Sequence, residues 1–288
     1  MATILVTGAN GNISSKTLAL LKSSGHKLIG LVRNPAKAKH LEAMGVELRV
    51  GDLTDLRTVE RAFEGVDTAF LLCTPGFLAP AQGSNALWGA RQGGVKHIVR
   101  MSAVGAAHDA PTINSRYHAL SDAELERSGL AYTILKPHFF TQNFLGMAKP
   151  ILEQGTIFFA LGDAQLPMID VHDVADTAAA VLANPAPHTG KTYTLTGATA
   201  VSGADVAAAI GKALGKEVKY QPIPLEALVE SFVKMGVDDY TQIALRDYCA
   251  AYSRGWSNTV TPFVKEITGK DPRPLEAFAA EFAAAMKR

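Results

Sequence analysis

Apolar and polar positions along this chain fall into short alternating blocks. Ile4, Leu5 and Val6 form a run long enough for one buried strand, and Thr7-Gly8-Ala9-Asn10-Gly11-Asn12 supplies turn chemistry. From Ile13 the period changes, with Ile13, Thr17, Leu18, Leu20 and Leu21 compatible with one helix face. The rhythm then repeats. Strands are expected at 26–32, 46–50, 66–73, 95–101 and 130–135. Helices are expected at 37–44, after Asp55, at 82–94 and at 115–128, with Asp55 as an N-cap and Gly45 and Gly129 as stops. Five such repeats of roughly 25 residues argue for a doubly wound parallel sheet.

After Lys136-Pro137 the rhythm breaks. His138 to Phe144 is aromatic and amide-rich, unlike the earlier connections. A strand is expected at 155–161, a helix at 171–183 and a seventh strand at 192–196. Ser202-Gly203-Ala204-Asp205 reads as a capping box opening a helix to Leu214. Beyond 218–220 the pattern is helical, with Pro262 and Pro274 suited to first turns. The expected fold is α/β: a Rossmann-like doubly wound parallel sheet with a smaller, mostly helical C-terminal lobe. Residues 1–150 form the first domain, its sheet rejoined by about 167–198, and residues 151–288 the smaller lobe.

Composition narrows the class. Of 288 residues, 48% are hydrophobic and 19% charged, enough to bury a substantial core. No apolar run reaches the roughly 18–20 residues that span a bilayer, and the N-terminal apolar run belongs to a strand, not a cleavable leader. Cys73 and Cys249 make no disulfide framework and no metal cluster. A cytoplasmic protein is the expectation, without membrane or nucleic-acid partners, since the net charge is only +1. No His, Cys or carboxylate spacing indicates a metal site.

The distribution of that charge is informative. No Asp or Glu precedes Glu42, whereas Lys16, Lys22, Lys27, Arg33, Lys37 and Lys39 all lie in that span. Positive charge is thus concentrated around a glycine turn that leads into a helix. Glycine lets a ligand approach the backbone, and a helix start offers free N–H groups and a positive dipole end to an anion. The spacing is Gly8-x-x-Gly11-x-x-Ser14, not GxGxxG, so an ordinary βα turn is the other reading. At the end of the second strand, where an acid would hold the ribose hydroxyl of NAD, stands Arg33, followed by Asn34 and Lys37. A guanidinium there can grip a 2′-phosphate bidentately, which favours NADP(H); a solvated basic helix start is the alternative.

Several segments in order carry a family resemblance: the Thr7–Asn12 turn, Val32-Arg33-Asn34, Gly51-Asp52, Val95-Lys96-His97-Ile98-Val99, Ser128 to Leu135, and Ile169-Asp170-Val171-His172-Asp173-Val174-Ala175. Together they resemble the NmrA-like branch of the atypical short-chain dehydrogenases, and within it the quinone oxidoreductase and triphenylmethane reductase members. The family's third turn glycine is Ser14 here. The resemblance implies that Gly8, Asn10, Gly11, Asn12 and Ile13 line the pyrophosphate, and that Arg33 and Lys37 take the 2′-phosphate. It places Asp52 and Leu53 at the adenine, and Thr74, Pro75, Ser102 and Pro137 along the ribose and nicotinamide.

Short-chain dehydrogenases typically use a Tyr-x-x-x-Lys pair. Tyr132 and Lys136 have the letters but fall in a strand, which separates them by roughly 13 Å. Tyr117 lies on a helix, but four residues on stands Ser121, which has no charge to act on a phenol. His118 matches the place where triphenylmethane reductase-like members carry a histidine. Its ordinary pKa near 6.5 suits proton delivery or a hydrogen bond; fastening its helix to the sheet is the other reading. With Ser102 and Tyr117 it completes the candidate catalytic set. His138, Phe139, Phe140 and Phe144, with Tyr240, Tyr248 or Trp256, are candidates for an aromatic substrate slot, or else plain core.

The expected function is an NADPH-dependent reductase passing hydride to a quinone or other conjugated aromatic or carbonyl acceptor, since such acceptors need little help from a protein acid. The rival is a non-catalytic NADP(H)-binding redox sensor of the NmrA type with a protein partner. Homodimerisation is left open by the sequence.

Overall fold

The N-terminal apolar run becomes β1 (Thr3–Val6), an interior strand of a seven-stranded sheet. The computed structural model describes residues 1–287. Around β1 are arranged β2 (Lys27–Val32), β3 (Glu47–Val50), β4 (Thr68–Leu71), β5 (His97–Met101), β6 (Ala131–Pro137) and, after an excursion through β7 (Thr156–Phe159), β8 (Lys191–Leu195). Their order is β3-β2-β1-β4-β5-β6-β8, and each neighbouring pair is parallel. The order reverses between β1 and β4. Open α/β sheets bind ligands outside the carboxyl ends of their strands at such a switch point.

Both faces of the sheet are covered, as its apolar strands require. Ile4 and Val6 of β1 point into one core, shared with Leu18 and Leu21 of α1 (Asn12–Leu21) and Val174 and Leu182 of α7 (Val171–Ala183). Leu5, between them in sequence, points into the opposite core. There it meets Val59 of α3 (Leu56–Ala62), Leu87 of α4 (Ala79–Gln92) and Leu125 of α5 (Ile113–Glu126). One strand thus anchors both layers.

The rest forms a second core. Parallel β7 and β9 (Lys219–Pro222) pack with α6 (Ala148–Gln154), α8 (Gly203–Leu214), α9 (Leu225–Lys234), α10 (Asp239–Tyr252) and α12 (Leu275–Ala285) around Phe139, Phe144, Phe159, Phe278 and Phe282. The short α11 (Phe263–Thr268) returns to the first core through Val264. Among the described residues no helix is long and apolar enough to cross a membrane.

Local chemistry sets the boundaries. Asp55 caps α3 by accepting from Arg57 N–H, and Ser202 with Asp205 closes the capping box of α8. Four details differ from expectation. The helix expected at 37–44 is a 3-10 turn at Pro35–Lys37 followed by the four-residue α2 (Lys39–Glu42). Asn34 Oδ1 takes Ala36 N–H and Ala38 N–H bonds Pro35 O, which tightens the chain there. The strand expected at 155–161 extends only over Thr156–Phe159, where it pairs with β9. β6 runs on to Pro137 because β8 pairs with it that far. Pro262 and Pro274 sit at N-cap positions, one residue before the first turn.

Candidate active site

The glycine turn crosses the carboxyl end of β1. Gly8 has φ +57°, a left-handed conformation that glycine adopts without strain. Gly11 N–H bonds Gly8 O at 2.8 Å and closes the turn. Ser14, where the family has glycine, is fully buried and donates its hydroxyl to Thr7 O at 2.9 Å, so it clasps helix to strand. The helix start that follows has no side-chain cap and no acid in its first turn. Its first N–H groups are therefore free for an anion.

From this turn a groove of about 650 Å³ runs along the ends of β1 to β4. Gly8, Asn10, Gly11, Arg33, Lys37, Asp52, Leu53, Thr74 and Pro75 all line it. Arg33 and Lys37 are exposed at its rim. The Asp52 carboxyl is held below its usual range, first by the Thr54 N–H that it accepts and then by the Thr54 hydroxyl and the nearby Arg33. Four expected residues lie elsewhere, Ser102 and Pro137 among them on the lining of the next cavity. Asn12 is the first residue of α1 and is not part of the lining; Ile13 faces the next cavity.

That second cavity, of about 410 Å³, adjoins the groove: Leu72 and Pro75 line both. Its floor is the end of β5 with Ser102, and its walls are Asn114 and His118 of α5, Pro137 at the end of β6 and His138 to Phe140 beyond it. Tyr240, Tyr248 and Tyr252 of α10 roof it. Asn114 ties roof to wall, accepting from Tyr240 Oη and donating to Tyr248 Oη, each at 2.7 Å. Among the described residues no Asp, Glu, Lys or Arg lines this cavity.

Not every expected aromatic belongs there. Phe144 is 1% exposed and packs with Phe139 and Phe159 in the second core, because the turn at Thr141–Met147 rolls its ring inward. Trp256 stands behind Tyr252, their rings 5.6 Å apart. A Cβ at Gly105 would collide with that indole, so glycine is required for Trp256 to seat. Tyr117 borders a small side hollow with Cys73 and His118, and stacks on Tyr240 instead of lining the main cavity.

Beneath the floor lies a charge cluster that sequence reasoning missed. Arg100 of β5 is 3% exposed and donates Nε to Asp122 Oδ1 at 2.8 Å. Ser102 Oγ donates to Asp122 Oδ2 at 2.6 Å, and Lys136 Nζ stands 3.5 Å from the same oxygen. Arg100 Nη2 lies 3.2 Å from His118 Nδ1. A charged residue in the middle of an apolar strand was the available signal. Lys136, excluded as a partner for Tyr132, has its place here.

This surrounding corrects the expected roles. Burial, assisted by Arg100 and opposed by Asp122, pushes the His118 pKa down to about 3, so it is neutral near pH 7 and carries no imidazolium proton to deliver. Ser102 has its hydroxyl committed to Asp122. His138 is likewise pushed down to about 4 by burial, against the opposing hydrogen bond to Ser257 O. A remote trio comes together where Glu281 of α12 meets Asp170 and His172 at the start of α7. Arg273 reaches both of its carboxylates and supplies the cation there.

A model of the NmrA-like family matches residues 1–255. An NAD(P)H azoreductase of Xenophilus azovorans is 36% identical over 285 residues, covering 98% of either chain. Among solved structures, NADPH-dependent quinone oxidoreductase of Escherichia coli complexed with NADPH superposes with a TM-score of 0.88 at 28% identity, covering 96% of this chain and 99% of that one. The Citrobacter sp. triphenylmethane reductase complexed with NADP(H) gives 0.86 at 26% identity, over 98% and 99% of the two chains.

Proposed function

The chain belongs to the NmrA-like family, and from that premise we propose that it is an NADPH-dependent reductase of the atypical short-chain dehydrogenase type. Its acceptor is an uncharged quinone, azo compound or other conjugated aromatic or carbonyl molecule. One observation carries this reading: the basic groove and the neutral aromatic cavity share the wall formed by Leu72 and Pro75. A sensor that only reads the nucleotide would not require a second chamber at that end of the groove.

The residues of the groove fit NADP(H). The Gly8–Gly11 turn and the uncapped start of α1 take the pyrophosphate. Arg33 and Lys37 take the 2′-phosphate, Asp52 and Leu53 border the adenine, and Thr74, Pro75, Ser102 and Pro137 border the ribose and nicotinamide. Bound there, the cofactor supplies the hydride. The protein's part is to orient the acceptor between Phe139, Phe140 and the α10 tyrosines and to exclude water. His118, neutral and in contact with the cavity, gives a hydrogen bond to the acceptor rather than a proton. A quinone needs no more, since its reduced anion is stable and collects a proton from solvent. On this reading residues 1–150 hold the nucleotide and residues 151–288 close the acceptor cavity through α10.

The test is NADPH consumption against a panel of quinones, enones, aryl azo compounds and triarylmethane dyes. Turnover of the uncharged members, with NADH much poorer, is the expected result. Bound NADPH and no turnover across the panel would remove the reductase reading and direct the search to a protein partner.

A further inference from the structure

His118 and His138 each face a neighbour that leaves no choice of tautomer. The Arg100 guanidinium can only donate, so His118 Nδ1 accepts from it and the proton of the neutral ring sits on Nε2. The Ser257 carbonyl can only accept, so His138 Nε2, 2.9 Å away, carries the proton and Nδ1 is bare. Ser257 itself holds φ +57°, a strained conformation for a residue other than glycine. His138 is 2% exposed, and its Nδ1 has no hydrogen-bond partner among the described residues. Both histidines line the same cavity. Of the two lining histidines, one therefore carries an oriented N–H and the other a buried ring nitrogen without a donor.

Burial keeps both rings neutral, and around His118 the neighbouring charges add to it. Arg100 from β5 and Lys136 from β6 outweigh Asp122 around His118, with Tyr117 and the Cys73 thiol bordering the same hollow. His138 stacks on Tyr252, ring centroids 5.3 Å apart, and meets no ionised group there. A charged ligand would lose its hydration in this cavity without finding a counter-ion in the lining.

We propose that the cavity selects an uncharged planar aromatic acceptor bearing two groups: a carbonyl or azo nitrogen for the N–H of His118, and a hydroxyl or amino hydrogen for Nδ1 of His138. This rests on the reductase reading above and narrows its substrate. Arg100 is a positioning residue in this scheme, because it acts on the ligand only through His118.

Binding is measured with NADP+ saturating, so that no hydride moves. The probes are menadione, its amino isostere (the methyl replaced by NH2) and a naphthoquinone sulfonate. The amino compound is expected to bind about tenfold tighter than menadione, as for one buried hydrogen bond gained, and the sulfonate at least tenfold weaker. Equal affinity of amino and methyl compounds, or a sulfonate as tight as menadione, overturns the proposal. Substituting His138 endangers the Ser257 contact, so the second measurement uses the unaltered protein with nitrogen-15 imidazole labels. Both histidines should show the neutral Nε2–H tautomer between pH 6 and 8, and the His138 Nδ1 signal should move with the amino compound only. An imidazolium or an Nδ1–H form at either residue overturns it. In Arg100→Met/Asp122→Asn, an Nδ1–H population should appear at His118; its absence removes Arg100 from the role. If these preferences hold but menadione is not reduced, only the reductase reading fails. If menadione is reduced without the preferences, only this inference fails.

Discussion

The groove and the cavity lie side by side at one end of the same sheet, yet they are built from opposite materials. The groove is made of backbone and rim charge: a glycine turn, an uncapped helix start, Arg33 and Lys37. The cavity is made of side chains from β5, α5, the turn after β6 and α10, with no charge on its lining and a charge cluster hidden beneath its floor. The first arrangement recognises polyanions through features that need only one short stretch of chain. The second, on the proposed reading, selects by shape and hydrogen-bond polarity, and it exists only once distant segments have met.

If the groove is backbone-built, the largest effect comes from the turn. Gly11→Asp puts a carboxylate at the start of α1 and its Cβ 3.1 Å from Gly8 O. NADPH affinity should fall more than about 100-fold by fluorescence titration, with the circular dichroism spectrum retained. Arg33→Glu should come next, moving the NADPH-to-NADH preference by about 30-fold as one charged hydrogen-bonding site is reversed. Unchanged selectivity would take Arg33 out of the site. Both changes should leave the acceptor KM alone, which is what separates the two regions.

The cavity predictions are smaller. His118→Leu removes one neutral donor, so kcat should fall about tenfold while the NADPH dissociation constant is unchanged. Loss of cofactor binding would instead place His118 with the groove. The pH profile should change least. Because the folded-state values of His118 and His138 are lowered to about 3 and about 4, both rings stay neutral above pH 5. Between pH 6 and 9, kcat should vary less than about twofold, declining only as pH falls toward 4. The same sign governs stability. Unfolded histidines take up protons from about pH 6.5 downward while the buried ones do not, so acidification from pH 7 to pH 5 should lower the melting temperature. Asp173, raised by burial to about 6, works in the opposite direction over part of that range.

What was legible in the sequence follows the same division. The doubly wound sheet, the glycine turn and the basic residue after β2 are written in local periodicity and turn chemistry, and the structure places Gly8, Gly11, Arg33 and Asp52 in one groove. The rejection of Tyr132 and Lys136 also holds, since both lie on β6. The cavity was legible only in part. Phe139 and Phe140 line it, but Phe144 is four residues beyond Phe140, round a 3-10 turn, and faces the core. His118 was found and its charge misjudged, because the burial that lowers its pKa, and the Arg100 and Lys136 charges that add to it, come from strands β5 and β6, remote from α5 in sequence. The Arg100–Asp122 pair spans 22 residues and the Asn114–Tyr240 bond 126, distances over which no spacing rule operates.

The claim that joins the two regions is that the nucleotide reaches past Leu72 and Pro75 into the cavity and passes hydride directly to the acceptor held there. A single-turnover experiment addresses it most directly: protein loaded with NADPH, protonated or deuterated at the transferring position, is mixed with menadione in a stopped-flow instrument. The account predicts rapid loss of NADPH absorbance in one turnover, slowed by deuterium. Bound NADPH that stays reduced in the presence of menadione and other uncharged aromatic acceptors would contradict it.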